Sequence, residues 1–108
     1  MSTFYICATP IGNLDDISNR LIETLGNVDE IYAEDTRRAN KLLNHLGIKK
    51  SVRSYFLGNE NKKINEILDL AKDGSSIALI SDAGTPLVSD PGQELIKSLI
   101  DNNIEIIS

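Results

Sequence analysis

Five short apolar runs along the chain predict β-strands. Each is rich in β-forming residues and is bounded by turn residues or by stretches with helical spacing. The runs are Phe4–Ala8, Ile31–Ala33, Val52–Phe56, Ile77–Ile80 and Ile104–Ile107. The first run shows no strict alternation of polar and apolar residues, which is typical of a strand that is buried on both faces.

Four stretches between these runs predict amphipathic helices, because their apolar residues recur at intervals of three and four. The second has apolar residues at i, i+3, i+4 and i+7, namely Ala39, Leu42, Leu43 and Leu46. The others carry theirs within 17–25, 64–71 and 95–100. Glycine is common just past a helix C-terminus, so we expect the first helix to stop at Gly26, the second to end at Gly47 and the third to end near Gly74. The fourth is expected to begin near Gln93.

The resulting βαβαβαβαβ order predicts an α/β fold: a single domain with a mainly parallel five-stranded sheet, flanked by helices on both faces and joined by right-handed crossovers. A chain of 108 residues is long enough for one core. It ends directly after an apolar strand, whereas domains more often end on a helix or a polar tail. We therefore expect residues 1–108 to be the N-terminal domain of a longer protein whose C-terminal domain is absent from this chain.

Composition narrows the class of protein. Hydrophobic residues are 41% and charged residues 25% of the chain, as in ordinary soluble domains. No apolar stretch approaches the roughly 20 residues that span a bilayer, so no membrane association is expected. The single cysteine, Cys7, lies inside an apolar run and suggests the reducing cytoplasm. With His45 as the sole histidine, no transition-metal site is expected.

Charge is strongly segregated along the chain. The segment from Arg37 to Lys63 contains eight basic residues and one acidic residue, a net charge of +7. The remainder contains three basic and fifteen acidic residues, so the whole chain carries −5. A basic segment of this kind either solvates a surface or contacts phosphates, and charge alone leaves both readings open.

Three predicted loops follow strands whose carboxyl ends meet at one edge of a parallel sheet, where α/β folds bind ligands. They are Thr9–Leu14, Glu34–Arg38 and Ser81–Gly92. The last is longer than a strand-to-helix connection requires, and it contains two aspartates, two prolines and two glycines. The middle loop places two carboxylates beside two guanidinium groups, which suit phosphate recognition.

Two of these loops also have a plainer explanation. Thr9–Leu14 lacks the glycine spacing of dinucleotide-binding folds and could be a tight turn in which Asn13 or Asp15 caps the helix. In the middle loop, Asp35 or Thr36 could cap the next helix while Arg37 pairs with Glu34 on the surface.

Taken together, the three loops resemble those of bacterial small-subunit rRNA (cytidine 2′-O) methyltransferases, which belong to the tetrapyrrole methylase superfamily and use S-adenosylmethionine. The resemblance is carried by Ala8–Leu14, Ala33–Arg37, Ser81–Gly92, Leu42–Ile48 and Asn59–Asn61. In the wider superfamily the fourth-strand loop usually carries Gly-Asp-Pro, where this chain has Ser81-Asp82-Ala83. That departure favours the rRNA branch.

The resemblance implies a role for each loop. The S-adenosylmethionine pocket would be lined by Pro10, Gly12, Ser81, Asp82, Ala83, Gly84, Thr85 and Pro86. The small-subunit (16S) rRNA, free or in the assembled 30S subunit, would meet Thr36, Arg37, Arg38 and Lys41. Asp35 or Glu34 would accept the proton of the ribose hydroxyl.

The resemblance also implies a homodimer for the full-length protein, and little activity for a fragment with half of the cofactor cleft. Two alternatives remain open at this point. The same fold could methylate a tetrapyrrole such as a corrin precursor, or it could serve as a non-catalytic binding module. The clustered basic residues and the Ser81-Asp82-Ala83 sequence count against the first, and the intact loop motifs count against the second.

Overall fold

A computed structural model describes residues 2–9, 17–55, 60–82 and 90–107. Within these ranges strands and helices alternate as predicted. The strands are β1 (Thr3–Thr9), β2 (Glu30–Ala33), β3 (Val52–Ser54), β4 (Ile77–Asp82) and β5 (Glu105–Ile107). The helices are α1 (Asn19–Asn27), α2 (Thr36–Leu46), α3 (Glu60–Lys72) and α4 (Asp90–Asp101).

The five strands form one sheet in the order β3-β2-β4-β1-β5, and every neighbouring pair is parallel. Strand β4 lies at the centre, with Leu79 opposite Ile6 of β1 and Tyr32 of β2. The predicted α/β fold with a parallel five-stranded sheet is therefore confirmed.

The two faces of β4 begin two separate hydrophobic cores. Ile77 and Leu79 face one side, where they join apolar residues of α3 and α4. Ala78 and Ile80 face the other side and pack with α1 and α2. All four residues are at most 5% exposed, as expected for a strand covered by helices on both faces. Cys7 belongs to the second core, which confirms it as a small buried residue.

The limits of α1 differ from the prediction. Ser18 caps the helix by accepting a hydrogen bond from the Leu21 N–H at 3.2 Å, so the capping role considered for Asn13 or Asp15 belongs to Ser18. Gly26 lies inside the helix, which ends one residue later at Asn27. The end is set by Val28, which turns to extended backbone and is 3% exposed in the core.

Helix α2 ends where the sequence predicted. Gly47 adopts a left-handed φ of 74°, and the following Ile48 N–H reaches back to the Leu43 carbonyl at 2.9 Å. This geometry satisfies carbonyls of the last turn and favours glycine, the residue without a Cβ.

The loop predicted over Ser81–Gly92 is shorter than the sequence predicted. Strand β4 extends two residues beyond Ile80 to Asp82, and α4 begins at Asp90 rather than near Gln93. Positions 83–89 between them lie outside the described residues. Strand β3 ends at Ser54, not at Phe56, which is also outside them. In the part of the chain described here, no helix has the length and apolarity needed to cross a membrane.

The two glycines near the ends of α1 and α2 give a paired stability prediction. Gly47→Ala should destabilise the fold by about 1 kcal/mol, because an added Cβ is strained in the left-handed conformation. Gly26→Ala should stabilise it by about 0.5 kcal/mol, because alanine favours a helix interior and a Cβ there meets no atom within 4 Å. Urea unfolding measures both changes. Effects of the same sign in the two variants would contradict the assigned end of α1.

Candidate functional site

The carboxyl ends of three central strands meet at one edge of the sheet. Thr9 pairs with Asp82 at the ends of β1 and β4, and Ala33 at the end of β2 pairs with Ile80. After this edge, β1 and β2 are followed by helices on one face of the sheet, whereas β4 is followed by α4 on the other. In open α/β sheets, ligands usually bind in the crevice outside strand ends where the following helices lie on opposite faces, so this edge is the candidate ligand site.

The predicted cofactor residues fall partly within the described structure. Ser81 and Asp82 are the last two residues of β4, and Ser81 is buried at 2% exposure. Because Asp82 pairs with Thr9, both predicted cofactor segments adjoin one another where their strands end. The other predicted residues, Pro10, Gly12, Ala83, Gly84, Thr85 and Pro86, lie outside the described residues.

The turn from β2 into α2 is organised by Asp35. Its Oδ1 accepts hydrogen bonds from the N–H groups of Arg37 at 3.0 Å and Arg38 at 3.1 Å, which makes it the N-cap of α2. Its Oδ2 lies 3.8 Å from Arg38 Nε. The capping alternative considered for Asp35 is thus confirmed. Glu34, the other carboxylate of this turn, is exposed.

The four predicted RNA-contacting residues lie in the first two turns of α2. Thr36 is half-buried, whereas Arg37, Arg38 and Lys41 are exposed. The opposite side of the same helix is anchored by Ala39, which is 1% exposed. The structure therefore presents a basic helix start directly beside the strand edge.

One basic residue of the +7 segment stabilises the fold elsewhere. The Lys50 ammonium donates hydrogen bonds to the carbonyls of Leu25 at 3.2 Å, Gly26 at 2.9 Å and Val28. It thereby satisfies carbonyls at the C-terminus of α1, where a positive charge also complements the helix dipole. This end of α1 precedes β2 and so lies at the amino edge of the sheet, away from the proposed crevice.

Two further basic residues belong to a cluster that joins β2, β3 and α3. Glu66 Oε1 accepts hydrogen bonds from the Tyr32 hydroxyl and from Arg53 Nη1, the latter at 2.8 Å. Arg53 Nε also lies 3.3 Å from Glu30 Oε2. Lys63 Nζ lies 3.5 Å from Glu66 Oε2 and 5.9 Å from the centre of the Tyr32 ring.

These contacts limit how much of the basic segment is available to contact phosphates. Lys50, Arg53 and Lys63 are engaged in contacts that hold the fold together, and each of the three has a partner more than ten positions away along the chain. The sequence pattern offered no sign of this, apart from the i, i+3 spacing of Lys63 and Glu66. Arg37, Arg38 and Lys41 form the candidate basic surface, because they are exposed and lie beside the strand edge.

Hydrogen bonding and burial shift the pKa values of Glu66, Tyr32 and Cys7. The hydrogen bond from Tyr32 lowers the pKa of Glu66, against an opposing effect of burial and with support from Arg53 and Lys63. Burial, together with Glu66, raises the pKa of Tyr32. Burial raises the pKa of the Cys7 thiol to about 11, so the thiol is neutral and unsuited to nucleophilic or metal chemistry. Among the described residues, no group of three or more metal-ligating side chains occurs.

Comparison with known proteins identifies related sequences and folds. The sequence profile of "Tetrapyrrole (Corrin/Porphyrin) Methylases" matches residues 3–108. "Ribosomal RNA small subunit methyltransferase I" of Haemophilus influenzae is 50% identical over 95% of this chain and 36% of its own length. The protein of the same name from Thermotoga maritima is 48% identical, over 98% of this chain and 48% of its own. The chain therefore spans about a third to a half of the relatives it matches.

Solved structures share the fold at low sequence identity. Diphthine synthase superposes with a TM-score of 0.75 at 18% identity, over 97% of this chain and 43% of the other. Uroporphyrin-III-C-methyltransferase from Thermus thermophilus has a TM-score of 0.73 at 17% identity, over 97% and 45%. These likenesses establish the architecture and carry no information about the substrate of this chain.

The Glu66 cluster predicts a specific acid sensitivity. The pKa of Glu66 is lower in the fold than its ordinary value of 4.5. Its contribution to the free energy of unfolding is therefore present above pH 4.5 and is lost as the pH falls through the folded pKa. Glu66→Gln should remove this part of the pH dependence of stability. Tyr32→Phe should reduce it, since the Tyr32 hydrogen bond is the chief cause of the lowered pKa of Glu66. Urea unfolding between about pH 6 and pH 3 measures the slope of the unfolding free energy against pH. A Glu66→Gln slope equal to that of the parent chain would contradict the assignment.

Proposed function

Because the chain belongs to the tetrapyrrole methylase family, we propose that it is the N-terminal domain of an enzyme that methylates small-subunit (16S) rRNA with S-adenosylmethionine. The observation that carries the proposal is the identity of about half of all aligned residues, over nearly the whole chain, with relatives named ribosomal RNA small subunit methyltransferase I. The proposed acceptor is the ribose 2′-oxygen of a cytidine.

The names of the relatives favour this proposal over the tetrapyrrole alternative, since those named for rRNA are 44–50% identical to this chain. A non-catalytic module with the same fold is the remaining alternative, and only an activity measurement separates it from an enzyme.

The carboxyl edge of β1 and β4 fits S-adenosylmethionine as its cofactor. We assign the pocket to Ser81 and Asp82, together with Pro10, Gly12 and residues 83–86. In support, Thr9 and Asp82, from which the two segments start, pair at the ends of β1 and β4, and Ser81, the residue before the end of the central strand, is buried. Serine and aspartate supply the donors and acceptors that the hydroxyl, ammonium and carboxylate groups of the cofactor require. When bound, the cofactor supplies the methyl group.

The start of α2 is the proposed contact for rRNA. The side chains of Arg37, Arg38 and Lys41 are exposed and lie beside the crevice, where guanidinium groups can bind phosphate oxygens with two parallel hydrogen bonds. Thr36 adds a hydroxyl at the first helical position. Contacts of this kind fix the position of an RNA without reading its sequence.

The protein's own part in the transfer is alignment and proton acceptance. The ribose oxygen must lie in line with the methyl carbon and the leaving sulfur, and such positioning supplies much of the rate. The hydroxyl must also lose its proton, for which the carboxylates Glu34 and Asp35 are the candidates at this edge. We further propose that a C-terminal domain completes the cleft, and that the full-length protein is a cytoplasmic homodimer acting on the assembled 30S subunit.

Methyl transfer by the full-length protein tests the proposed function. Purified protein, S-adenosylmethionine with a labelled methyl group and 30S subunits from a strain lacking the modification are expected to yield one labelled ribose in the small-subunit rRNA. Nuclease mapping locates it, and resistance of the adjacent phosphodiester to alkali identifies the 2′-oxygen. No incorporation into RNA, or a label on a base, would contradict the proposal.

Substitutions at the start of α2 test the RNA surface. Arg37→Ala or Arg38→Ala in the full-length protein should weaken rRNA binding by about fivefold to tenfold, with a less steep salt dependence, because a phosphate contact is lost. Affinity for S-adenosylmethionine should change little. Lys72→Ala is the matched control, since Lys72 is exposed in the last turn of α3, which lies at the amino edge next to Ser2. Equal RNA affinity in all three variants and the parent would contradict the assignment.

A further inference from the structure

We propose that Asp35 is a positioning residue, which holds the basic first turn of α2 toward the RNA, and that it is not the proton acceptor of the reaction. The inference deepens the proposed function and rests on it. It separates two carboxylates, Glu34 and Asp35, that the sequence alone leaves equivalent.

The contacts of Asp35 are those of a residue that builds the helix start. Its Oδ1 accepts from the N–H groups of Arg37 and Arg38, at 3.0 and 3.1 Å. Its own carbonyl accepts the first helical hydrogen bond, from the Ala39 N–H at 3.1 Å. The side chain of Asp35 thus satisfies two of the N–H groups that a helix N-terminus leaves without internal partners, while its backbone starts the helical hydrogen bonding.

The residues on either side of the Asp35 cap are fixed, so the cap determines where Arg37 and Arg38 lie. Only Glu34 and Asp35 separate the end of β2 from the start of α2. On the strand side, Ala33 is fixed between β4 and β3, and its carbonyl accepts from the Tyr55 N–H at 2.8 Å. On the helix side, Ala39 is buried in the core. With both neighbours anchored, the cap determines the direction of the intervening turn and of its two arginine side chains.

The same contacts disfavour Asp35 as the proton acceptor. Oδ1 is occupied by two backbone donors, and Oδ2 lies 3.8 Å from the Arg38 guanidinium. A proton taken up by this carboxylate would cancel the negative charge that complements both the positive end of the α2 dipole and Arg38. The turn that binds RNA would then loosen during the chemical step. Glu34 is the carboxylate candidate that remains at this turn.

Three substitutions in the full-length protein separate the two roles. Asparagine and serine cap helices about as well as aspartate, but neither can act as a carboxylate base, whereas alanine does neither. Asp35→Ala should raise the KM for 30S subunits and the Kd for rRNA by about fivefold, the effect of losing a typical cap. Its kcat should fall by less than about threefold. Asp35→Asn and Asp35→Ser should recover most of the lost affinity, with kcat also reduced by less than about threefold.

The two roles predict changes in kcat of different size. Loss of a general base lowers kcat by about 100-fold or more, so such a loss in Asp35→Asn and Asp35→Ser with normal rRNA binding would overturn the inference. So would an rRNA affinity in Asp35→Asn and Asp35→Ser as low as in Asp35→Ala, since charge and not capping would then be responsible. The Kd for rRNA is measured without methyl transfer, so it reports on the role of Asp35 even in an inactive protein. Absence of methyl transfer by the parent protein would contradict the proposed function and not this inference.

Discussion

The central position of β4 is the constraint on which the rest of the structure depends. It pairs in parallel with β1 on one side and with β2 on the other, and Ala78 and Leu79 are completely buried on its opposite faces. Parallel neighbours require crossover helices, and a strand that is apolar on both faces requires those helices on both sides. The same pairing brings Asp82 beside Thr9, and the helices that follow β1 and β4 pack on opposite faces of the sheet. The position of the candidate site therefore follows from how one strand is buried.

Much of this architecture could be predicted from the sequence because its signals are local. The apolar runs identified all five strands, and the spacing of Ala39, Leu42 and Leu43 identified α2 together with its end at Gly47. The end of α1 could not be read in the same way. Gly26 has the residue type of a helix terminator, but the helix continues past it because the position of Val28 in the core decides where the backbone turns. Tertiary packing thus overrides a local preference.

The position of the candidate site could be predicted from the sequence, but the contacts made by the charged residues of the chain could not. A count of lysines and arginines in 37–63 does not reveal that Lys50 caps α1 or that Arg53 pairs with Glu66, since these partners come from other elements of the fold. Asp35 poses the same problem on a smaller scale. A carboxylate two residues after a strand suits both a helix cap and a base, and only the hydrogen bonds to Arg37 and Arg38 distinguish them. The basic segment is therefore part scaffold and part proposed RNA surface.

Hydrogen–deuterium exchange of the full-length protein tests most directly the central claim that cofactor and RNA bind at the carboxyl edge of the sheet. Amides of residues 9–16 and 81–90 should exchange more slowly when S-adenosylmethionine is added, and those of 34–41 when small-subunit rRNA is added. The amino edge, where Asp29 and Ser76 bond to one another, should show no change with either ligand. Protection confined to the amino edge, or none at residues 9–16, 34–41 and 81–90, would contradict the account.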